Sequence, residues 1–488
     1  MALLIGALVA LVLYYTIKAF YNLYLHPLAR YPGPKLWIVS RIPYLVSMNS
    51  GKLPFRIKEL HDQYGPVVRL SADELSFNDP CAWKDVYNRR DMLRPPRWGV
   101  RPPGVSAHSV ISAPARDHAR FRKALNPGFS EKATRSYEPA IRTYFEKLLA
   151  RLDSAVTRDG NSTVIDIVYW ANLTTFDVIG ELVWSKGYNC LETGAGHAFM
   201  GVLLHFQAFL AGATLKYYPW LHACLAYITP KSAFRLLEDI FKDTHHRIEN
   251  RLLSGRTSHA DIVGYLQAHN KTATVNETLS FDEIEQNLLA IIVGGSKTLT
   301  TIFSGLFHHI LADNVVYQKL TREVRSSFSS SDDITASACA TLPYLNAAIE
   351  ETLRMCAPIL DALRRQVPAS GATIAGLTLP AHTTVSVSCY TMFKSSRHFE
   401  NPESFEPERW LEKEKKDNAA FYPFGLGPHN CLGQPLARLE MRVLLALLLH
   451  RYEFKVPRGG VLRKWDEQKI YWTWAKEPLM VEIRRVER

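Results

Sequence analysis

At 488 residues, with 47% hydrophobic and 22% charged residues, the chain has the make-up of a folded globular protein, not a disordered or fibrous one. Its net charge of +11 is spread along the sequence instead of being gathered with interleaved aromatics, which argues against a nucleic-acid reader and for acidic protein partners or an anionic membrane surface. Seven cysteines, at 81, 190, 224, 339, 356, 389 and 431, form no C-x-x-C pair, which argues against zinc and iron–sulfur clusters, and their odd, sparse distribution points to a reducing compartment.

Met1 to Ile17 carries no charged residue, and the apolar run continues through Phe20. About twenty such residues suffice to span a bilayer. A cleaved signal peptide would need a basic start and a small-residue cleavage site, and neither is present. Lys18, Arg30, Lys35 and Arg41 follow the span, so the positive-inside rule places the remainder in the cytosol. The sequons at Asn161, Asn172, Asn270 and Asn276 are then unglycosylated by topology. Tyr31-Pro32-Gly33-Pro34 suits neither helix nor sheet and reads as a stiff hinge. The expected organisation is a transmembrane anchor over 1–20, a proline-rich hinge over 21–40, and one large domain over 41–488.

β-rich pieces are expected at Val67–Leu70, Glu74–Asn78 and Thr384–Cys389, among helices that include Phe281–Leu311 and Pro343–Met355. The fold class is therefore mainly α with a minor β subregion. Asp117–Lys123 puts His118 and Arg122 on one helix face, four residues apart. The apolar stretches Phe199–Leu210, Tyr217–Trp220 and Leu221–Ile228 suit lipophilic surroundings, as does the Pro/Arg/Trp-rich loop Arg94–Pro103. The helix from Phe281 opens with Ser280 and Glu283 at capping-box spacing and would run roughly 45 Å. In its middle, Gly294 and Gly295 cost about 1 kcal/mol each relative to Ala, so something should require them. Lys297-Thr298 follows, but a phosphate loop is excluded because Ser296 replaces the glycine such a loop needs before its lysine. Glu351 and Arg354 form an E-x-x-R pair on one face, with Phe405-Glu406-Pro407-Glu408-Arg409-Trp410 downstream. The mixed run Glu412–Lys416 reads as a solvated face.

The most specific stretch is Phe424-Gly425-Leu426-Gly427-Pro428-His429-Asn430-Cys431-Leu432-Gly433. Three glycines within nine residues let the backbone approach a flat, bulky group, and Pro435 suits the first turn of the apolar helix that follows. Cys431 ahead of that helix should favour thiolate over thiol, and a thiolate of this kind is a good axial ligand for haem iron. The pattern F-x-x-G-x-(R/H)-x-C-x-G arises by chance in a chain this long on the order of once in ten thousand. It resembles the haem-binding signature of the cytochrome P450 family, and Ala437 fits the extended signature.

That resemblance covers nearly the whole chain from the hinge onward and implies the P450 fold and a haem b cofactor with Cys431 as metal ligand. It implies that Thr298 helps hold oxygen and its water. His118, Arg122, Arg365 and His429 would bind the haem propionates, with Gly425 in the cofactor cradle, and Glu351, Arg354 and Arg409 would brace the core. The lipophilic stretches become the substrate-access lid and the loop over the haem. Two positions depart from the family: His429 replaces the usual arginine, and Lys297 replaces the acid that relays protons beside the threonine. Lys297 is expected to point away, toward a carboxylate such as Glu351 or Asp361.

No complete G-x-G-x-x-G is present, since Asn430 occupies the third glycine's place, so electrons must come from an NADPH-cytochrome reductase. Arg116, Arg120, Lys123, Arg438 and Arg442 are its expected docking cations. His26–Pro34 and Phe129–Lys132 look most like filamentous-fungal members of secondary metabolism. The resulting expectation is a single-pass endoplasmic reticulum protein that uses O2 to oxidise a lipophilic terpenoid, polyketide or alkaloid-like metabolite. Because of Lys297, a haem-thiolate isomerase, dehydratase or peroxide-using enzyme is the alternative. A non-catalytic haem sensor or carrier is a third reading, disfavoured by the lid segments and the anchor.

Overall fold

The N-terminal apolar run folds as a helix, Ala2–Phe20, extended by a π-helical turn, Tyr21–Leu25. Leu3, Leu4, Leu8, Val12 and Ile17 project from it without protein cover, as a membrane anchor requires. The hinge that follows is fastened to the body. The Arg69 N–H donates to the Pro32 carbonyl at 2.8 Å, and Arg69 Nη1 donates to the Asn22 carbonyl at 2.9 Å. Gly33 permits this approach, because a Cβ there would lie 2.2 Å from the Arg69 carbonyl oxygen.

A computed structural model describes residues 1–96, 105, 107–197, 199–200, 217–218, 230–254, 261–360, 363–411 and 419–487. Most of the Arg94–Pro103 loop, most of the three apolar stretches after Phe199, Asp361 and the run Glu412–Lys416 lie outside the described residues.

The described body is mainly helical, with small sheets at its margins. One sheet orders its strands Val67–Ser71, Glu74–Phe77, Thr384–Val387, Arg365–Gln366. The first pair is antiparallel, the middle pair parallel with Glu74 opposite Thr384, and the last antiparallel with Arg365 opposite Val385. This pairing carries Arg365 to the sheet edge. A second sheet joins Ser162–Asp166, Met480–Arg485 and Tyr452–Lys455.

The central helix runs Phe281–Ala312 and opens with the expected capping box between Ser280 and Glu283. One face packs on the helix Ile167–Trp184: a Cβ at Gly295 would lie 2.6 Å from Ile179, and Thr300 meets Thr175 hydroxyl to hydroxyl at 3.2 Å. Gly295 is therefore demanded by helix–helix contact. The cysteine helix, Gln434–Arg451, packs against the same core through Leu444, Leu445 and Leu448. Each fully buried side chain of this kind contributes about 1.5–3 kcal/mol.

Candidate active site

The run 424–433 folds as a closed turn. The Cys431 N–H donates to the Phe424 carbonyl at 2.8 Å, and the Asn430 N–H donates to the Gly427 carbonyl at 3.1 Å. Gly425 and Gly427 both have positive φ, +72° and +73°, where a side chain would be strained. Their surroundings differ. A Cβ at Gly427 would fall 2.2 Å from the Tyr87 carbonyl, so this glycine admits the helix Pro80–Tyr87, whereas a Cβ at Gly425 would touch only the Asn430 Cα, at 3.8 Å, and one at Gly433 nothing within 4 Å.

Cys431 is exposed on this turn, although it is surrounded by enough protein for its thiol to be desolvated. Burial pushes its thiol above the usual range, opposed by the Gly433 backbone and by Arg122. The helix itself begins at Gln434, and the Gly433 backbone together with Arg122 favours the thiolate, as the place ahead of a helix implies, against the cost of burial.

Arg122 lies on the helix Ala115–Leu125 and forks onto Asn430, donating from Nη1 to its backbone carbonyl and from Nη2 to its side-chain oxygen, both at 2.8 Å. One turn earlier, His118 packs against His429 with ring centroids 3.9 Å apart. Burial first, then nearby arginines, lowers His118 to about 4 and His429 to about 3, so both rings are neutral at physiological pH. Arg94 and Arg365 complete the group. Arg365 is buried, donates to the Arg364 carbonyl at 3.0 Å and sits over the Tyr87 ring, and burial lowers its pKa. Arg94 is lowered to about 10, by burial and then by Arg365.

The fold thus brings His118, Arg122, Arg365, His429 and Gly425 to the Cys431 turn. It adds Arg94 and Asn430, which sequence reasoning missed as site residues. For Arg94 the signal was only its place in a Pro-rich loop, and for Asn430 only its adjacency to the cysteine. No carboxylate pairs with Arg94, Arg122 or Arg365 among the described residues. One buried and two half-buried guanidiniums and two imidazoles beside a cysteine suit a group bearing two carboxylates, so the donor set fits a haem with its propionates.

Thr298 and Lys297 belong to the central helix, linked to the cysteine helix by direct packing. Thr298 Oγ1 donates to the Gly294 carbonyl at 2.5 Å, and a Cβ at Gly294 would meet nothing within 4 Å. Gly294 is exposed and Lys297 and Thr298 are half-buried, so the helix is partly open at this turn, whereas Thr301 is fully buried. Lys297 is lowered to about 8 by burial. Glu351 is not its counter-ion: that carboxylate accepts from Arg354 at 2.9 and 2.7 Å, from Trp410 Nε1 at 2.8 Å and from the Glu406 N–H at 3.0 Å. Asp361, the other expected partner, lies outside the described residues.

The Glu351–Arg354 pair is completely buried and bidentate, as expected, but the network is wider than the sequence indicated. Arg354 also donates to the carbonyls of Phe393, Pro402 and Ser404, and Trp410 joins it, while Arg409 approaches Glu351 only at 3.5 Å. Removing one partner of such a pair costs about 3–5 kcal/mol.

The expected docking cations are largely committed elsewhere. Arg438 pairs with Glu350, Arg120 with Glu283 and Asp117, and Lys123 with Glu277, while Arg442 donates to Asn346 at 2.7 Å. Arg116 alone of the five is exposed and unpaired among the described residues.

Comparison with known proteins agrees with this geometry. The profile of the cytochrome P450 family matches residues 31–483. The chain is 34% identical to the cytochrome P450 monooxygenase lcsI of Purpureocillium lilacinum, over 98% of this chain and 93% of that protein. It is also 34% identical to averantin hydroxylase of Dothistroma septosporum, over 99% and 91%, and 32% identical to the cytochrome P450 monooxygenase efuB of Hormonema carpetanum, over 99% and 97%. The chain belongs to the cytochrome P450 family and is an oxidoreductase, a monooxygenase akin to those of fungal secondary metabolism.

Proposed function

We propose that this protein hydroxylates or otherwise oxidises a lipophilic secondary metabolite of terpenoid, polyketide or alkaloid-like type, using O2 and electrons from an NADPH-dependent cytochrome reductase. The cationic cluster at the cysteine turn carries the reading. In it, Cys431 is the ligand of a haem b, while Arg94, Arg365, Arg122 and the neutral rings of His118 and His429 hold the propionates. Each terminal nitrogen of Arg122 keeps a second N–H beyond its bond to Asn430. Gly425 leaves the cradle open.

Bound haem supplies the oxidising chemistry, with two electrons arriving one at a time. The chain's residues position and protonate. The Thr298 hydroxyl spends its hydrogen on the Gly294 carbonyl and presents its lone pairs to the open helix face, where water or oxygen would be held. Lys297, lowered to about 8, is mostly protonated at neutral pH yet close enough to neutrality to release a proton.

The exposed helix Ala2–Phe20 supports a single-pass anchor over residues 1–20, in the endoplasmic reticulum membrane with the body in the cytosol. The clamped segment 21–40 would set the orientation of the catalytic domain, 41–488, on the bilayer. Reductase docking would rest on the exposed Arg116 more than on the paired cations around it.

Lys297 also supports the second reading, a haem-thiolate isomerase, dehydratase or peroxide-using enzyme. The deciding experiment incubates membranes containing the protein and its reductase with NADPH and a panel of lipophilic metabolites, read by mass spectrometry. Product that needs NADPH, reductase and O2 is expected; redox-free or peroxide-only conversion selects the second reading. The reduced carbon monoxide complex should show the family's red-shifted Soret band, and Cys431→Ser should abolish it.

A further inference from the structure

The strand Met480–Arg485 docks beside the end of the cysteine helix. It pairs with Tyr452–Lys455 so that Arg485 lies opposite Tyr452, and the Val486 N–H donates to the Arg451 carbonyl at 3.0 Å. Arg451 and Arg485 are thereby brought side by side, and with Arg484 they line a cleft of about 570 Å³. Asp153 pairs with Arg451, and Glu487 accepts from Arg484 at 2.8 Å. Arg485 has no carboxylate partner among the described residues.

The opposite wall is the loop after the helix Asn314–Ser327. Phe328 is buried, and His450 Nε2 donates to its carbonyl at 3.2 Å. Ser329 follows Phe328 and Arg451 follows His450, so this bond holds the serine close to the arginine. Arg325 reinforces the junction, donating to the carbonyls of Leu449 and Tyr452 at 3.0 Å each. Ser329, Ser330 and Ser331 all line the cleft, and Asp332 and Asp333 follow them. The three serines are not equivalent. The Ser330 hydroxyl accepts from the Asp332 N–H at 3.2 Å, and the Asp333 carboxylate accepts from the Ser330 N–H at 3.0 Å, so both side chains are spent on capping the turn Ser331–Asp333. Ser331 is half-buried and has Ile334 three residues on. Ser329 is exposed, and Asp332, three residues on, exposes 94% of its side chain. A kinase that reads acidic residues through a basic groove needs an exposed hydroxyl with an accessible carboxylate a few residues downstream, and of the three only Ser329 has both.

We propose that Ser329 is a phosphorylation site for an acid-directed serine/threonine kinase, and that its phosphate is held in the cleft by Arg485 together with Arg451 and Arg484. The γ-phosphoryl group of ATP would pass to Ser329 Oγ: the O–P bond forms as the bond to the β-phosphate oxygen breaks, ADP leaves and the hydroxyl proton is released. A phosphoserine carries a charge of about −1.5 to −2 and three acceptor oxygens, and opposite arginines it orders a loop through charge-assisted bonds. Here it would tie the serine loop to the strand Met480–Arg485 and to the end of the cysteine helix, whose terminal carbonyls the arginines must offset. The proposal is independent of the substrate and rests only on the cytosolic placement of the body, where ATP and kinases are present.

The test uses the full-chain holoprotein with casein kinase II, an acid-directed enzyme, and ATP, read by phosphopeptide mapping and phosphorus NMR. Phosphate is expected on Ser329; Asp332→Asn should slow its addition several-fold and Ser329→Ala should abolish it. The second pKa of a free phosphoserine is about 6, and in the cleft it should fall to about 5–5.5 because the arginines favour the dianion. Arg485→Gln should return it toward the free value without changing the rate of phosphorylation. A native chain that takes no phosphate, phosphate on Ser330 or Ser331 instead, or a titration that Arg485→Gln leaves unmoved overturns the proposal. The reduced carbon monoxide spectrum of each variant reports its folding. Intact microsomes test the placement separately: the kinase does not cross the membrane, so phosphate that appears only after detergent overturns the cytosolic site and leaves the haem assignment untouched.

Discussion

Arg122 holds both oxygens of Asn430, the residue immediately before Cys431, at 2.8 Å each. The two are 308 positions apart in sequence, so this fork ties the helix Ala115–Leu125 directly to the cysteine turn. It fixes the turn from outside while the Cys431 N–H bond to Phe424 fixes it from within. Arg122→Gln keeps a donor but loses the planar fork. With about 1.5–3 kcal/mol at stake, haem retention should fall by about tenfold to a hundredfold, measured as the haem-to-protein ratio after challenge with apomyoglobin. Asn430→Ala should give a smaller loss, because the backbone carbonyl still accepts from Arg122.

Thr298 and Lys297 should separate in their effects. Thr298→Ala removes the hydroxyl on the open face, so NADPH consumption should continue while product falls and peroxide rises, measured as the product-to-NADPH ratio. Lys297→Glu puts the family's usual acid in place and removes a cation whose burial already disfavours its charge. On neutral substrates this variant should keep or raise NADPH-dependent product formation. A fall to the level of Thr298→Ala would make Lys297 the proton donor.

Glu440 gives stability a pH dependence of defined sign. It is buried in the cysteine helix with one carboxylate oxygen unpartnered, and burial raises it to about 8. In the unfolded chain it would titrate near 4.5. Between those values the native state holds the extra proton, so the favourable contribution is whole below about 4.5 and is lost as pH rises through 8. Glu440→Gln should match the native protein in stability near pH 5 and exceed it near pH 8.5, by on the order of a few kcal/mol, in urea titrations at the two pH values.

The features legible in the sequence are those whose cause is local. Seventeen uncharged residues from Met1 to Ile17 make an apolar helix wherever they sit, Ser280 and Glu283 cap a helix because they are three residues apart, and Gly425 and Gly427 turn the chain because only glycine tolerates their φ. The helix Pro343–Met355 was readable to the residue, and its buried pair from the E-x-x-R spacing. What only the tertiary structure decided depends on groups distant in sequence and on burial. Arg94 and Asn430 joined the site through contacts that no periodicity encodes. The hinge proved clamped because Gly33 lets Arg69 close on it. Glu351 turned to Arg354 and Trp410, away from Lys297. In each case desolvation or a partner many residues away outweighed the local term, and a one-dimensional pattern contains neither. Lys476 is the clearest instance: in the sequence it is one more lysine near the C-terminus, and only the fold lays its ammonium on the Thr301 hydroxyl of the central helix.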